Sequence, residues 1–215
     1  MTYIYFLLFV FVTTLHLYGS HKNNANLRNS TKGMILLAIM GMYLACVPEF
    51  SWMLIAALLT SWLGDILLIP KGVKWFTAGG ISFMISHLCF IAAYCQEIIF
   101  DKVPLLVMIV FIAGFAVAVS IIFSHLKQYL LKPLVVPMFA YLMINGLMNC
   151  FALFRLISCP CLPTAVTAIG AILFFISDTS LFFVRFNKDS VMKTHFIVML
   201  TYSLGEFLIM LGFML

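Results

Sequence analysis

The sequence predicts an all-α membrane protein, a polytopic bundle of eight transmembrane helices. Three observations predict it: 65% of the residues are hydrophobic, only 9% are charged, and apolar runs long enough to cross a bilayer follow each other with brief polar breaks. A soluble domain usually carries about 25% charged residues to cover its surface. Lipid instead requires each backbone polar group to be satisfied within its own helix, which this pattern allows. The composition therefore excludes an ordinary soluble all-α domain.

The apolar runs define the spans and leave no room for a soluble domain, so residues 1–215 form one transmembrane domain. The predicted spans are 2–18, 34–47, 51–69, 76–94, 104–123, 134–154, 164–185 and 195–214. The first is expected to be a retained helix, because Lys22 follows the apolar run and a signal peptide has its basic residues before it. The span 34–47 is short for a bilayer, so we expect it to tilt or to extend into residues 27–33.

The basic residues divide unevenly between the two faces of this bundle. Lys102 and Arg155 fall on one face, and the other carries Lys22, Arg28, Lys32, Lys71, Lys74, Lys127, Lys132, Arg185, Lys188 and Lys193. The positive-inside rule places the larger group in the cytoplasm and both termini on the opposite, non-cytoplasmic side. Because no Lys/Arg run is long, the net charge of +5 reports loops rather than a nucleic-acid partner. We expect a bacterial inner membrane, or the endoplasmic reticulum of a eukaryote.

Three acidic residues fall inside predicted spans, where charge is costly and therefore marks function by default: Asp65, Asp178 and Glu206. Asp65 lies five residues before Pro70, and Asp178 lies seven residues before Arg185. At 1.5 Å per residue, these separations put the two aspartates about 7 and 10 Å from the same end of the bundle. The sequence thus predicts two carboxylates at similar depth.

Other polar residues lie deeper and form stripes at helical spacing. Tyr141, Asn145 and Asn149 follow each other at i+4 on the sixth span, Tyr202 and Glu206 do so on the eighth, and His87 lies in the fourth. Such stripes face the bundle interior, since lipid offers them no hydrogen-bond partner. We expect a cavity open to the cytoplasm, with His87, Tyr141, Asn145, Tyr202 and Glu206 contacting substrate, although polar contacts that only join helices remain an alternative.

Basic residues at the cytoplasmic rim are candidates to hold a phosphate group. Lys71 and Lys74 are the first candidates, and Lys132 and Arg185 lie on the same face. Their alternative role is simply to orient the protein in the membrane.

The two halves of the chain share a weak internal similarity. Residues 64–68, which contain Asp65, resemble residues 177–181, which contain Asp178, and Lys32 and Lys132 open the second and sixth spans. A four-plus-four parallel repeat about an axis along the membrane normal would bring the two aspartates face to face.

Two other functions fit parts of the sequence. His16, His21, His125 and His195 fall near the cytoplasmic face, and three histidines with an aspartate could bind zinc in a membrane lipid hydrolase. Intramembrane acids and a repeat also suit a small-molecule or proton-coupled transporter.

The cysteines permit an external disulfide from Cys95 to the 159–161 loop, or act as small apolar residues.

The acidic motifs also carry a family resemblance. The pattern Gly64-Asp65-x-x-Leu68-x-Pro70, then Phe83-x-x-x-His87, and later Ser177-Asp178 followed by Thr201-Tyr202-x-x-Gly205-Glu206, resembles the YhhN family from about Lys32 onward. That family includes lysoplasmalogenases of bacteria and animals. The resemblance implies hydrolysis of the vinyl ether bond of a lysophospholipid, giving a fatty aldehyde and glycerophosphocholine or glycerophosphoethanolamine. It implies no cofactor, and it maps the catalytic pair onto Asp65 and Asp178.

The chemistry of a vinyl ether fits two buried carboxyl groups. Its hydrolysis begins with protonation of the β-carbon and passes through an oxocarbenium ion that water attacks. Burial and like-charge proximity favour one protonated and one ionised carboxyl group, which supply an acid and an anion, as in glycosidases. Asp178 is the better candidate for the acid, because Phe174, Phe175 and Phe182 surround it in sequence.

Overall fold

The computed structural model describes residues 2–186 and 195–215, and this part of the chain contains helices and no strands. Lys188 and Lys193, which belong to the predicted basic face, lie outside the described residues. Short 3-10 turns occupy Phe100–Lys102, Lys127–Tyr129 and Lys132–Leu134. The α-helices are α1 Thr2–His21, α2 Ala25–Cys46, α3 Trp52–Leu67, α4 Val73–Glu97, α5 Leu105–Leu126, α6 Val135–Ser158, α7 Leu162–Phe186 and α8 Phe196–Met214.

Each predicted span corresponds to one of these helices, so the all-α class is confirmed. Six of them, α1 and α4 to α8, are long and apolar enough to cross a membrane, which indicates a multi-pass membrane protein. The helix α3 has only 16 residues, and α2 carries Arg28 and Lys32 near its start. That α2 and α3 also cross, and that both termini are non-cytoplasmic, stay predictions.

The start of α2 differs from the predicted span and has consequences for the site. The helix begins at Ala25 rather than at residue 34, after Asn24 caps it by accepting a hydrogen bond from the Leu27 backbone N–H at 3.2 Å. The predicted extension into residues 27–33 is therefore correct. It makes Lys32 an intrahelical residue whose side chain is directed by the helix rather than by a loop.

The two halves of the bundle arrange their helices alike. Within each half, consecutive helices pack against each other, and across the halves α2 packs against α8 as α4 packs against α6. One difference stands out: α1 packs against both α2 and α8, whereas its counterpart α5 packs against α6 and α7. These neighbours are consistent with a four-plus-four repeat, which stays a hypothesis until the halves are superposed.

The helices α7 and α8 approach each other through glycines. A Cβ on Gly170 would lie 2.6 Å from the Ile209 backbone N, and one on Gly205 would lie 2.9 Å from the Gly170 carbonyl oxygen. Small residues of this kind let two membrane helices touch along their backbones. The contact fixes α7, which carries Asp178, against α8, which carries Tyr202.

At the end of the bundle opposite the basic loops, a buried arginine joins four helices. The Arg155 Nε donates to Glu97 Oε2 at 2.6 Å, and its Nη1 donates to Thr167 Oγ1 at 2.7 Å. Its guanidinium also lies 4.2 Å from the centre of the Phe213 ring. These contacts tie α6 to α4, α7 and α8, so we assign Arg155 a structural role.

The disulfide considered from the sequence is not formed. The six cysteines, all of them among the described residues, are free thiols. Cys161 instead belongs to the cap of α7, because its backbone N–H donates to Thr164 Oγ1 at 3.2 Å. The alternative, cysteine as a small side chain, is the one that the structure supports.

Candidate active site

A cavity of about 270 Å³ lies at the end of the bundle where α3 and α7 finish and α4 and α8 begin. Asp65 and Asp178 both line it, although 113 positions separate them along the chain. Their side chains are nearly inaccessible, since the two residues are 2% and 5% exposed. The structure thus brings the predicted catalytic pair into one enclosure.

Each oxygen of the Asp65 carboxyl group has a partner. Tyr202 donates its hydroxyl hydrogen to Oδ2 at 2.8 Å, and the Lys32 Nζ lies 3.3 Å from Oδ1. A cation at this distance stabilises the ionised carboxylate strongly in a buried site. Three helices therefore meet at this side chain, α2 through the lysine, α3 through the aspartate and α8 through the tyrosine.

Asp178 is surrounded differently. Its Oδ2 accepts hydrogen bonds from the Tyr141 hydroxyl at 2.5 Å and from the Asn145 Nδ2 at 2.7 Å, and the His87 Nε2 lies 3.7 Å away. In the part of the chain that the structure describes, no lysine or arginine pairs with Asp178. Asn149 supports the arrangement, because its Nδ2 donates to Asn145 Oδ1 at 3.2 Å and so fixes the amide orientation.

Aromatic rings separate the two carboxyl groups from the rest of the bundle. Phe83 meets Tyr202 and Phe174 edge to face, with centroids 5.9 and 6.3 Å apart. Gly64 makes room for this ring, since a Cβ at that position would lie 2.6 Å from Phe83. The glycine before Asp65 is thus required by packing, and aromatic rings form the deep side of the site.

The mouth of the cavity is basic. Arg28, Lys32, Lys71 and Arg185 line it, together with His16 and His195. His195 adds no charge near neutral pH, because burial and then the charges of Arg28 and Lys32 lower its pKa to about 4. An anionic group at the mouth would therefore meet ammonium and guanidinium donors.

Not every residue predicted to contact substrate lines the cavity. Tyr141, Tyr202 and Lys71 do, whereas His87, Asn145 and Glu206 are fully buried behind the wall. Glu206 has no hydrogen-bond partner for either carboxyl oxygen among the described residues. Helical spacing gave the correct face for these side chains but could not give their depth.

Lys74 and Lys132 lie at the correct end of the bundle but away from the site. Both are exposed and neither lines the cavity. Lys74 stands in the first turn of α4, one turn from Lys71, which precedes the helix and does reach the mouth. Contact with substrate at these two positions stays a prediction without structural support.

Lys32 and Arg28 line the cavity but are not among the predicted site residues. The predicted second span begins only at residue 34, which places both residues on the basic face. The usable signal was the length of that span: 14 residues are too few for a bilayer, and extending the helix backwards brings Lys32 to membrane depth. An intramembrane lysine then calls for an acidic partner.

The zinc alternative finds no support in the described residues, which contain no group of three or more His, Cys, Asp or Glu side chains placed to hold a metal ion. His16 shares a hydrogen bond with Thr31 Oγ1 at 2.9 Å. His125 is exposed, and its Nδ1 lies 2.8 Å from the carbonyl oxygen of Ile121. Two of the predicted ligands, His16 and His125, thus have separate hydrogen-bond partners.

A model of the YhhN family matches residues 27–213. The chain belongs to the YhhN family. No curated protein and no solved structure matches the chain. The YhhN match begins just inside α2 and includes Lys32, Asp65, Asp178 and Tyr202, so the resemblance noted at the acidic motifs is confirmed over nearly the whole chain.

Proposed function

We propose that this YhhN-family protein hydrolyses the vinyl ether bond of lysoplasmalogens, releasing a fatty aldehyde and glycerophosphocholine or glycerophosphoethanolamine. The observation that carries the proposal is a pair of buried carboxyl groups in one cavity with unequal surroundings. Asp65 has an ammonium partner, whereas Asp178 has neutral hydrogen-bond donors. Acid-catalysed hydrolysis through a cation needs this combination of an anion and an undissociated acid.

The charge environment of the two carboxyl groups supports different roles for them. Lys32, at 3.3 Å, neutralises an ionised Asp65 and makes it the anion that stabilises an oxocarbenium ion. Asp178 has no such cation among the described residues, so in the same enclosure it is the group that keeps a proton. We therefore assign Asp178 as the general acid and Asp65 as the general base.

The reaction then balances in two stages. Asp178 gives its proton to the β-carbon of the vinyl ether, and the electrons of the ether oxygen form an oxocarbenium ion. Water adds to the α-carbon while Asp65 takes a proton from it, which gives a hemiacetal. In the collapse, Asp65 returns that proton to the departing glycerol oxygen and Asp178 accepts the hemiacetal hydroxyl proton. Both carboxyl groups thereby regain their starting states.

The shape of the cavity supports a single-chain phospholipid as the substrate. A phosphate at the mouth would lie among Arg28, Lys71 and Arg185. The vinyl ether would then extend towards Asp65 and Asp178. The remaining wall is largely apolar, as a hydrocarbon chain requires. A soluble anion without a tail would leave that wall uncovered.

Purified protein in lipid nanodiscs tests the proposal with 1-alkenyl-lysophosphocholine as the probe. In D₂O the released aldehyde should carry one deuterium on the carbon next to the carbonyl group, because the proton from the acid ends there. Protein that releases no aldehyde under these conditions refutes the proposal, and uptake of a solute into vesicles by the same protein would favour the transporter alternative.

A further inference from the structure

Part of the cavity wall is also part of the outer surface of the bundle. Thr77, Gly80, Ile81 and Met84 of α4 line the cavity at one helical face, and Ile81 is nevertheless 48% exposed. Across from them, Pro137 and Ala140 of α6 line the cavity and are exposed as well. An opening of the cavity between α4 and α6 would give these residues of two facing helices both kinds of exposure.

The residues at this gap are small. A Cβ built on Gly80 meets no atom within 4 Å, so open space adjoins the backbone of α4 there. Ala140 presents only a methyl group on the facing helix. Two turns beyond Gly80 along α4 the gap closes, since His87 contacts Tyr141 of α6 with ring centroids 5.3 Å apart.

The gap lies at the depth of lipid tails. Gly80 is seven residues after the start of α4 and Ala140 is five after the start of α6, which puts them about 10 and 8 Å along helices with a rise of 1.5 Å per residue. Both helices are long and apolar enough to cross a membrane. In a hydrocarbon core about 30 Å thick that these two helices cross, this position would lie among the lipid tails of one leaflet.

The packing of α1 and α5 shows why the gap exists on one side only. In the four-plus-four arrangement, the seam between α8 and α2 corresponds to the one between α4 and α6. It is covered because α1 packs against both α8 and α2. The helix α5 packs against α6 and α7 and makes no comparable contact with α4. The α4–α6 seam is thus left to the lipid.

We propose that this gap, which we call the lateral opening and define by Gly80, Ile81, Pro137 and Ala140, is the entrance through which a single-chain phospholipid passes from the adjoining leaflet to Asp65 and Asp178. The proposal rests on the proposed function for the identity of the cargo. The hydrocarbon chain occupies the opening while the phosphate moves along the basic mouth, so the headgroup never crosses an apolar barrier. A substrate without a long tail has no need of this route, because the mouth is open to water.

Tryptophan at Gly80 or Ala140 tests the route by filling the opening. Gly114→Trp is the matched control, since Gly114 is an exposed glycine of α5 with no atom near its Cβ and no part in the cavity. In nanodiscs, turnover of a long-chain 1-alkenyl-lysophosphocholine should fall at least about tenfold in Gly80→Trp and Ala140→Trp and stay within twofold of wild type in the control. A butenyl analogue supplied from water should lose at least fivefold less turnover than the long-chain substrate in Gly80→Trp and Ala140→Trp.

Unchanged long-chain turnover in both opening variants overturns the proposal, and so does an equal loss on both substrates by protein of unchanged melting temperature. A second measurement needs neither hydrolysis nor a variant. Acyl-lysophosphocholine with a diazirine near the chain end should label wild-type peptides containing Ile81 and Ala140 well above the α5 surface. Uniform labelling of all lipid-facing helices contradicts the lateral opening. Specific labelling without aldehyde release would support the entrance and refute the proposed reaction.

Discussion

The ion pair between Lys32 and Asp65 gives the sharpest quantitative prediction. Two unit charges 3.3 Å apart interact by about 5 kcal/mol at an effective dielectric constant of 20. Because the lysine side chain is 16% exposed, solvent screens part of this energy, and we take about 2–4 kcal/mol as the stabilisation of the Asp65 anion. Lys32→Met keeps the apolar stem and removes the charge. It should lower kcat for aldehyde release roughly 30- to 1000-fold.

Two further variants separate this effect from a general loss of positive charge. Lys32→Arg keeps a cation beside Asp65 and should retain turnover within about tenfold of wild type. Lys127→Met removes an exposed cation at the same end of the bundle, outside the cavity, and should behave as wild type. If Lys32→Met is folded and turns over substrate within threefold of wild type, the lysine does not hold Asp65 ionised and the assignment of the general base is wrong.

Three other variants test the site and its support. Tyr141→Phe removes one hydrogen bond to Asp178 but keeps the ring. A loss of about 1–3 kcal/mol should lower turnover roughly 5- to 150-fold at unchanged melting temperature. An unaffected rate contradicts the contact. Gly170→Ala should destabilise the protein by about 1–3 kcal/mol in thermal unfolding, whereas Gly114→Ala should not, and equal melting temperatures would argue against tight backbone packing. Arg155→Met should lower the free energy of unfolding by about 2–3 kcal/mol in the same assay. Turnover at low temperature should change little, because Arg155 does not line the cavity. A stable but inactive variant would contradict its structural role.

Much of the fold could be predicted because its signal is local. An apolar run of membrane length specifies a helix whatever its neighbours are, and each predicted span has its helix. The stripe of Tyr141 and Asn145 was equally accessible, since i+4 spacing puts both on one face. That stripe meets Asp178, as the sequence predicted for a polar face turned inward.

What the sequence could not supply depends on contacts between distant segments. A lone lysine in lipid is costly, so a span drawn by hydropathy stops before Lys32; only the carboxylate of Asp65, on the next helix, compensates for the charge. Glu206 and Lys74 are the opposite case, because the sequence predicts them as site residues and they do not line the cavity. Each has the residue type that a polar site uses, but depth and the position of a neighbouring helix decide that neither lines the cavity.

The proposed reaction requires that Asp65 and Asp178 act together on one bound molecule. Aldehyde release by Asp65→Asn and by Asp178→Asn measures it directly, with Asp101→Asn as the control, since Asp101 is exposed in the turn before α5. We expect each of the first two variants to fold normally and to lose at least roughly 1000-fold in turnover, while the control matches wild type. Near-normal turnover in either cavity variant would contradict it.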